Sequence, residues 1–234
     1  MSPLRILYGG TFDPIHNGHL AVAEAAADRY DSEVHLLPAA DPPHRDRPAL
    51  PATERAALVG LAISGHPRLH LDTRELGRRG PSWTVLSLRE LRQEQGPQAP
   101  LAWLLGADAF ADLDRWHDWT ALLDLAHWII AVRPDADGVT RSDPQAIASG
   151  WSAALREATA GRWAGSDEAL SQAAGGCLRV LSLPPRPEAS TAIRRAIAEG
   201  APWEHQVPAP VAARIQALGL YGAAGSGGAG AYNG

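Results

Sequence analysis

Leu4-Arg5-Ile6-Leu7-Tyr8-Gly9-Gly10-Thr11-Phe12-Asp13-Pro14-Ile15-His16-Asn17-Gly18-His19-Leu20 is the stretch on which the fold turns. Residues 4–8 form an apolar run of strand length, broken by two glycines, and the Ala-rich residues 20–30 favour helix. The unit is strand, glycine turn, helix, with the helix starting near Asn17. Outward from it the same alternation repeats. Residues 34–37 form a second strand closed by Pro38, the proline-rich residues 41–50 must stay extended, and a helix follows over 53–63.

Residues 69–71 read as a short strand, and Ser82 as the cap of a helix over 83–94. Further strands follow at 101–105, ended by Gly106, at 127–132, ended by Pro134, and at 178–183. Ser190 opens a helix through Ala198, and Val211 one through Leu218 that stops at Gly219. This alternation predicts the α/β class: a Rossmann-like, doubly wound parallel sheet with right-handed crossovers and helices on both faces. One domain is expected over 1–221, with a peripheral helical excursion over 135–176 and amphipathic patches at 151–158 and 168–174. The Gly/Ala/Ser-rich tail over 222–234 is expected to be disordered. Sheets of this kind bind ligands beyond the carboxyl ends of their strands.

Composition narrows the function. A chain of 234 residues, 45% hydrophobic and 20% charged, can bury a substantial core. A formal charge of −5 and a pI near 6.0 give no general surface for nucleic acid. Cys177 is the single cysteine, which rules out an intrachain disulfide or a cysteine metal cluster and points to the cytoplasm. The N-terminus lacks the pattern of a signal peptide, and no run approaches the ~20 apolar residues of a membrane helix.

The turn after the first strand carries the chemistry. Glycines let backbone approach a phosphate, and the amides and partial positive charge of a following helix favour an anion. His16 and His19 are three apart, so both rings of that first turn can face one anion. Taken singly, the glycines are an ordinary turn and the histidines caps or core residues. Found together at a strand-to-helix junction, they point to phosphate binding. With no cysteine and no His-x-x-x-His pair near His16 and His19, the spacing does not suit zinc.

Residues 9–20 resemble the His-x-Gly-His nucleotidyltransferases, and Gly-Gly-Thr-Phe-Asp-Pro-x-His-x-Gly-His is close to the nicotinate-nucleotide adenylyltransferase family. The resemblance continues through Pro42-Pro43-His44-Arg45, Pro81-Ser82-Trp83-Thr84, Leu105-Gly106-Ala107-Asp108, Trp116, Ala131-Val132-Arg133-Pro134, Ser190-Thr191-Ala192-Ile193-Arg194 and Gly219-Leu220-Tyr221. It implies transfer of AMP from ATP to nicotinate mononucleotide, giving deamido-NAD and pyrophosphate without a covalent enzyme intermediate. Mg²⁺ would accompany ATP, and no dedicated metal site is expected.

By the same resemblance, His16, His19 and Arg194 serve catalysis. Gly9, Gly10, Thr11, Phe12, Gly106, Asp108, Ser190 and Thr191 join them around ATP. His44, Arg45, Thr84, Trp116 and Arg133 would meet nicotinate mononucleotide. Asp108 would hold ribose, although locally it reads equally as a helix cap; for Trp116 the alternative is a core residue, as for most of the eight tryptophans. The chain departs from the family pattern twice. Glu188-Ala189 stands where Ile-Ser is usual, and Leu86-Ser87 where Asp-Thr is usual. Two other readings share the first loop. A pantetheine-phosphate adenylyltransferase or a cytidylyltransferase would differ in acceptor or nucleotide, and a catalytically silent sensor would keep the fold alone.

Overall fold

The computed structural model describes residues 3–40, 48–78, 80–132 and 143–223. Six strands, β1 (Arg5–Gly10), β2 (Val34–Pro38), β3 (Leu69–Leu71), β4 (Leu101–Gly106), β5 (His127–Val132) and β6 (Leu178–Ser182), form one sheet in the order β3-β2-β1-β4-β5-β6. Every pairing is parallel. This is the doubly wound arrangement expected from the sequence, and its direction reverses between β1 and β4.

Side-chain alternation along each strand feeds two cores. Ile6 and Tyr8 point to the first, shared with α1 (Asn17–Tyr30), α2 (Ala52–Ile63), α9 (Ser190–Glu199) and α10 (Ala209–Ala217). Leu7 points to the second, covered by α3 (Thr84–Gln95), α4 (Ala107–Ala111), α5 (Trp119–Leu125) and α7 (Ala153–Thr159). All six residues of β5 are buried, as a strand covered on both faces requires.

Two details differ from the sequence-based expectation. Ser82 does not cap α3; the helix starts at Thr84 with Trp83 at its N-cap position. The Ser82 hydroxyl accepts instead from the Ala40 N–H at 2.9 Å, satisfying an amide just beyond β2 and tying that strand's exit to α3. The stretch between β5 and β6 is also less peripheral than expected. Among its described residues are α6 (Pro144–Ala148), α7 and α8 (Ala169–Gln172); Trp151 and Leu155 enter the second core and Leu170 the first. Gly175 lies so near the Ala126 backbone that a methyl there would approach within 2.9 Å. The end of the tail, 224–234, falls outside the described residues. Among them, no helix is long and apolar enough to cross a membrane.

Candidate active site

The site stands at the carboxyl ends of β1 and β4, where the sheet changes direction. Tyr8 pairs with Leu104, so Gly10 and Gly106 leave adjacent strands at one level. The two glycines of β1 are required first by packing. A methyl on Gly9 would fall 2.2 Å from the Trp103 ring, and one on Gly10 2.8 Å from the Phe12 ring. Phe12 takes a left-handed φ of 50° and is buried edge-on to Tyr8, at 5.5 Å, and to His19, at 5.1 Å. It thus supports an imidazole with its side chain while its backbone lines the loop.

His16 is the N-cap of α1 and closes a reciprocal capping box with His19. The His19 N–H donates to His16 Nδ1, and the His16 N–H donates to His19 Nδ1, each at 3.3 Å. The rings stack with centroids 3.7 Å apart and planes 23° from parallel. Because each Nδ1 accepts a backbone proton, the neutral rings carry their own proton on Nε2. The cap therefore aligns two Nε2–H donors at the positive end of a 14-residue helix.

A buried carboxylate organises the loop beneath this pair. Asp13 is 5% exposed; its Oδ2 accepts from the Ala49 N–H and its Oδ1 from the Tyr221 hydroxyl, both at 2.7 Å. Burial and the Asp13 carboxylate push the Tyr221 phenol up, so it stays a donor well above its ordinary range. Arg194 Nη1 donates to the Asp13 carbonyl at 2.5 Å and lies 3.8 Å from Asp13 Oδ2, while its Nη2 reaches Thr191 Oγ1 at 3.5 Å. The Ser190 hydroxyl donates to the Pro14 carbonyl at 3.0 Å. Asn17 Nδ2 donates to the His205 carbonyl at 2.9 Å. The start of α9 and the C-terminal segment are thereby clamped onto the β1–α1 loop.

Arg55 is a second organiser. Fully buried in α2, it donates to the carbonyls of Thr11, at 2.5 Å, and Ala39, at 2.6 Å. Leu50 and Ala40 accept at 3.2 and 3.3 Å. Burial lowers its pKa while the nearby Asp13 charge opposes that shift.

Of the sequence-predicted residues, Gly9, Gly10, Thr11, Phe12, His16, His19, Ser190, Thr191 and Arg194 are thus gathered around one loop. Gly106 and Asp108 sit at the neighbouring strand end, both exposed. Asp108 occupies the first turn of α4, whose N-cap is Gly106, so the capping alternative does not hold. Thr84 is the first residue of α3, beside Trp83, whose ring stacks on His117 at 3.7 Å. Trp116 follows a 3-10 turn, half-buried and packed against the second core. His44, Arg45 and Arg133 lie outside the described residues.

Sequence reasoning missed four residues. Asp13 and Tyr221 lay inside quoted motifs but carried no assigned role. Arg55 has no sequence signal, being one of two adjacent charges in the first turn of α2. Glu188 registered only as a departure, yet it is buried beside α1. The other departure is taken up by the fold. Ser87 is buried, donates to Glu75 Oε1 at 2.7 Å and accepts from Arg78, and Leu86 packs on the second core. Among the described residues, no group of three or more His, Cys, Asp or Glu side chains could hold a metal ion. What the arrangement offers is a cluster of imidazole, guanidinium and helix-amide donors suited to a polyanion.

Comparisons with known proteins agree with that chemistry. Residues 7–196 match the family profile described as cytidylyltransferase-like. A "Probable nicotinate-nucleotide adenylyltransferase" of Stenotrophomonas maltophilia (strain K279a) is 48% identical over 226 residues, covering 94% of this chain and 98% of the relative. A protein of the same name from Xylella fastidiosa (strain M12) is 39% identical, covering 95% and 98%. The fold is similar to that of the Plasmodium falciparum nicotinic acid mononucleotide adenylyltransferase complexed with NaAD. The TM-score is 0.68 at 15% identity, over 94% of this chain and 97% of that one.

Proposed function

This chain belongs to the nicotinate-nucleotide adenylyltransferase family and is a nucleotidyltransferase, and from that premise we propose that it makes nicotinate adenine dinucleotide in the cytoplasm from ATP and nicotinate mononucleotide. A phosphate oxygen of the mononucleotide attacks the α-phosphorus of ATP in line. The new P–O bond forms as the bond to the β-phosphate bridge breaks, and pyrophosphate leaves with that electron pair. The attacking oxygen is already anionic at neutral pH, so no general base is needed and the protein aligns reactants and stabilises charge.

The observation that carries this reading is the stacked His16–His19 pair, capped through both Nδ1 atoms at the start of α1 with Arg194 held nearby. Its Nε2–H groups would donate to the transferring phosphoryl group and the departing pyrophosphate. Arg194 and the start of α9 would hold the outer phosphates, with Thr11 and the backbone of Gly9, Gly10 and Phe12 lining the same pocket. Asp108 and Gly106 would meet ribose. On the acceptor side, Trp116 would stack on the pyridine ring and Thr84 face its carboxylate. His44, Arg45 and Arg133 would hold the acceptor phosphate.

Mg²⁺ arrives on the ATP phosphates as part of the substrate. Asp13 does not suit direct ligation of it, since both carboxylate oxygens already accept from Tyr221 and Ala49. The test is pyrophosphate release with ATP and Mg²⁺ across nicotinate mononucleotide, nicotinamide mononucleotide, phosphopantetheine and no acceptor. Preference for nicotinate mononucleotide supports the proposal; preference for another acceptor moves the chain's substrate, and release with none refutes it.

A further inference from the structure

β1 and β2 stay paired as far as Gly10 and Pro38, and the Ala39 N–H still donates to the Gly10 carbonyl at 2.9 Å. Beyond that rung the two chains part. Thr11 enters the phosphate loop, whereas the Ala40 N–H donates to the Ser82 hydroxyl at 2.9 Å, two residues before Thr84. The loop that would carry ATP and the start of the helix that would face the acceptor thus diverge from one point.

Arg55 fills the angle between them. Fully buried in the first turn of α2, it donates from Nη1 to the Thr11 carbonyl at 2.5 Å. Its Nη2 donates to Ala39, at 2.6 Å, and Ala40, at 3.3 Å, and its Nε to Leu50, at 3.2 Å. One rigid, planar fork therefore fixes the spacing of Thr11, the exit of β2 and the entry to α2. The Asp13 carboxylate also ties the phosphate loop to Ala49, but among its described hydrogen bonds none reaches the exit of β2.

A second arginine shows what such a fork does away from the site. Arg92, partly buried in α3, donates to the carbonyls of Leu125, Ala99 and Ala174 at 2.5–2.9 Å. Those residues precede β5, β4 and β6, at the amino ends of the strands and the opposite end of the sheet. Both arginines gather backbone from distant segments. Only Arg55 gathers the backbone on which the two reactants would sit.

We propose that Arg55 is a positioning residue for adenylyl transfer, holding the phosphate loop and the acceptor side of the cleft at the spacing that brings the acceptor oxygen in line with the α-phosphorus. Being fully buried, it acts through the backbone it holds. This rests on the reading of ATP and nicotinate mononucleotide as substrates. The His16–His19 cap, the Tyr221–Asp13 bond and Arg194 hold the phosphate loop independently of Arg55. Altering Arg55 therefore leaves each half able to bind its ligand and disturbs their alignment, and a misplacement near 1 Å costs about 100-fold in rate.

The test compares Arg55→Lys with Arg92→Lys in the whole chain. Lysine keeps the charge but offers its donors from a single atom, so it cannot hold the same set of carbonyls. Single-turnover pyrophosphate formation at saturating ATP, Mg²⁺ and nicotinate mononucleotide reads the alignment. Calorimetric Kd values for each ligand alone read the two halves, and urea unfolding reads stability. Arg55→Lys should lower the single-turnover rate by about 100-fold with both Kd values near those of the wild type. Arg92→Lys should lose stability and keep the rate. An unchanged rate in Arg55→Lys, an equal rate loss in both variants, or a rate loss matched by loss of affinity for one ligand overturns the proposal. Ser82→Ala cuts the next link and should show the same split to a smaller degree. An unchanged rate there also overturns the proposal, including where Arg55→Lys does not fold. Wild-type turnover across the panel of acceptors, measured on the same preparation, tests the substrate reading separately.

Discussion

Tyr221→Phe removes one oxygen and leaves the ring, so it isolates the bond from the C-terminal segment to Asp13. The hydroxyl donates at 2.7 Å to a carboxylate that is 5% exposed. A hydrogen bond to a buried charged acceptor is worth about 1.5–3 kcal/mol. Asp13 keeps the Ala49 amide at 2.7 Å and the Arg194 charge at 3.8 Å, which places the loss in the lower half of that range, at about 2 kcal/mol. Tyr221 also holds a left-handed φ of 59°, a strain of order 1 kcal/mol that its anchoring offsets. At roughly 2–4 °C per kcal/mol for a chain of this size, the midpoint should drop by about 4–8 °C.

The pH dependence follows from the raised phenol pKa. A group protonated more tightly in the folded state contributes its full stability below its unfolded pKa, about 10, and loses it as pH rises further. The gap between wild type and variant should therefore be constant from pH 7 to 9. Urea unfolding followed by circular dichroism at pH 7, 8 and 9 measures it. A loss under about 0.5 kcal/mol with an unchanged m-value would refute the clamp from Tyr221 to the phosphate loop.

Three further outcomes are expected. His19→Ala should lower kcat by about 100-fold or more in steady-state pyrophosphate release, comparable with removing one preorganised donor, and unchanged turnover would remove it from the mechanism. Trp116→Ala should raise KM for nicotinate mononucleotide with ATP binding nearly unaffected; equal loss of both would make the residue merely structural. Burial, helped by Arg5 and His70, holds the His35 ring down to about 4, so folding stability should be full above pH 6.5 and decline between 6.5 and 4. That decline, up to about 2 kcal/mol because part of the ring meets solvent, should flatten in His35→Gln measured by denaturation across that range.

The fold was legible because each strand is short, apolar and punctuated by Gly or Pro, and because helices of ordinary length separate them. The phosphate loop was legible for a related reason: two glycines and two histidines at a strand-to-helix junction have few physical uses. What escaped was whatever depends on contacts distant in sequence. Ser82 looks like a cap until Ala40, 42 residues away, claims its hydroxyl. Arg55 looks like one more helix charge until the carbonyls of Thr11, Ala39, Ala40 and Leu50 converge on it. Gly9 reads as room for a phosphate, whereas the nearest occupant of that space is Trp103. Glu188 is unremarkable in a proline-rich linker, and its burial shows only once α1 is seen beside it.

The most direct measurement is mass spectrometric detection of product from purified protein incubated with nicotinate mononucleotide, Mg²⁺ and ATP labelled at the α-phosphorus. Label appearing in nicotinate adenine dinucleotide, in step with pyrophosphate, is the predicted result. Labelled AMP as the end product, or label passing to no acceptor, would contradict adenylyl transfer by this site.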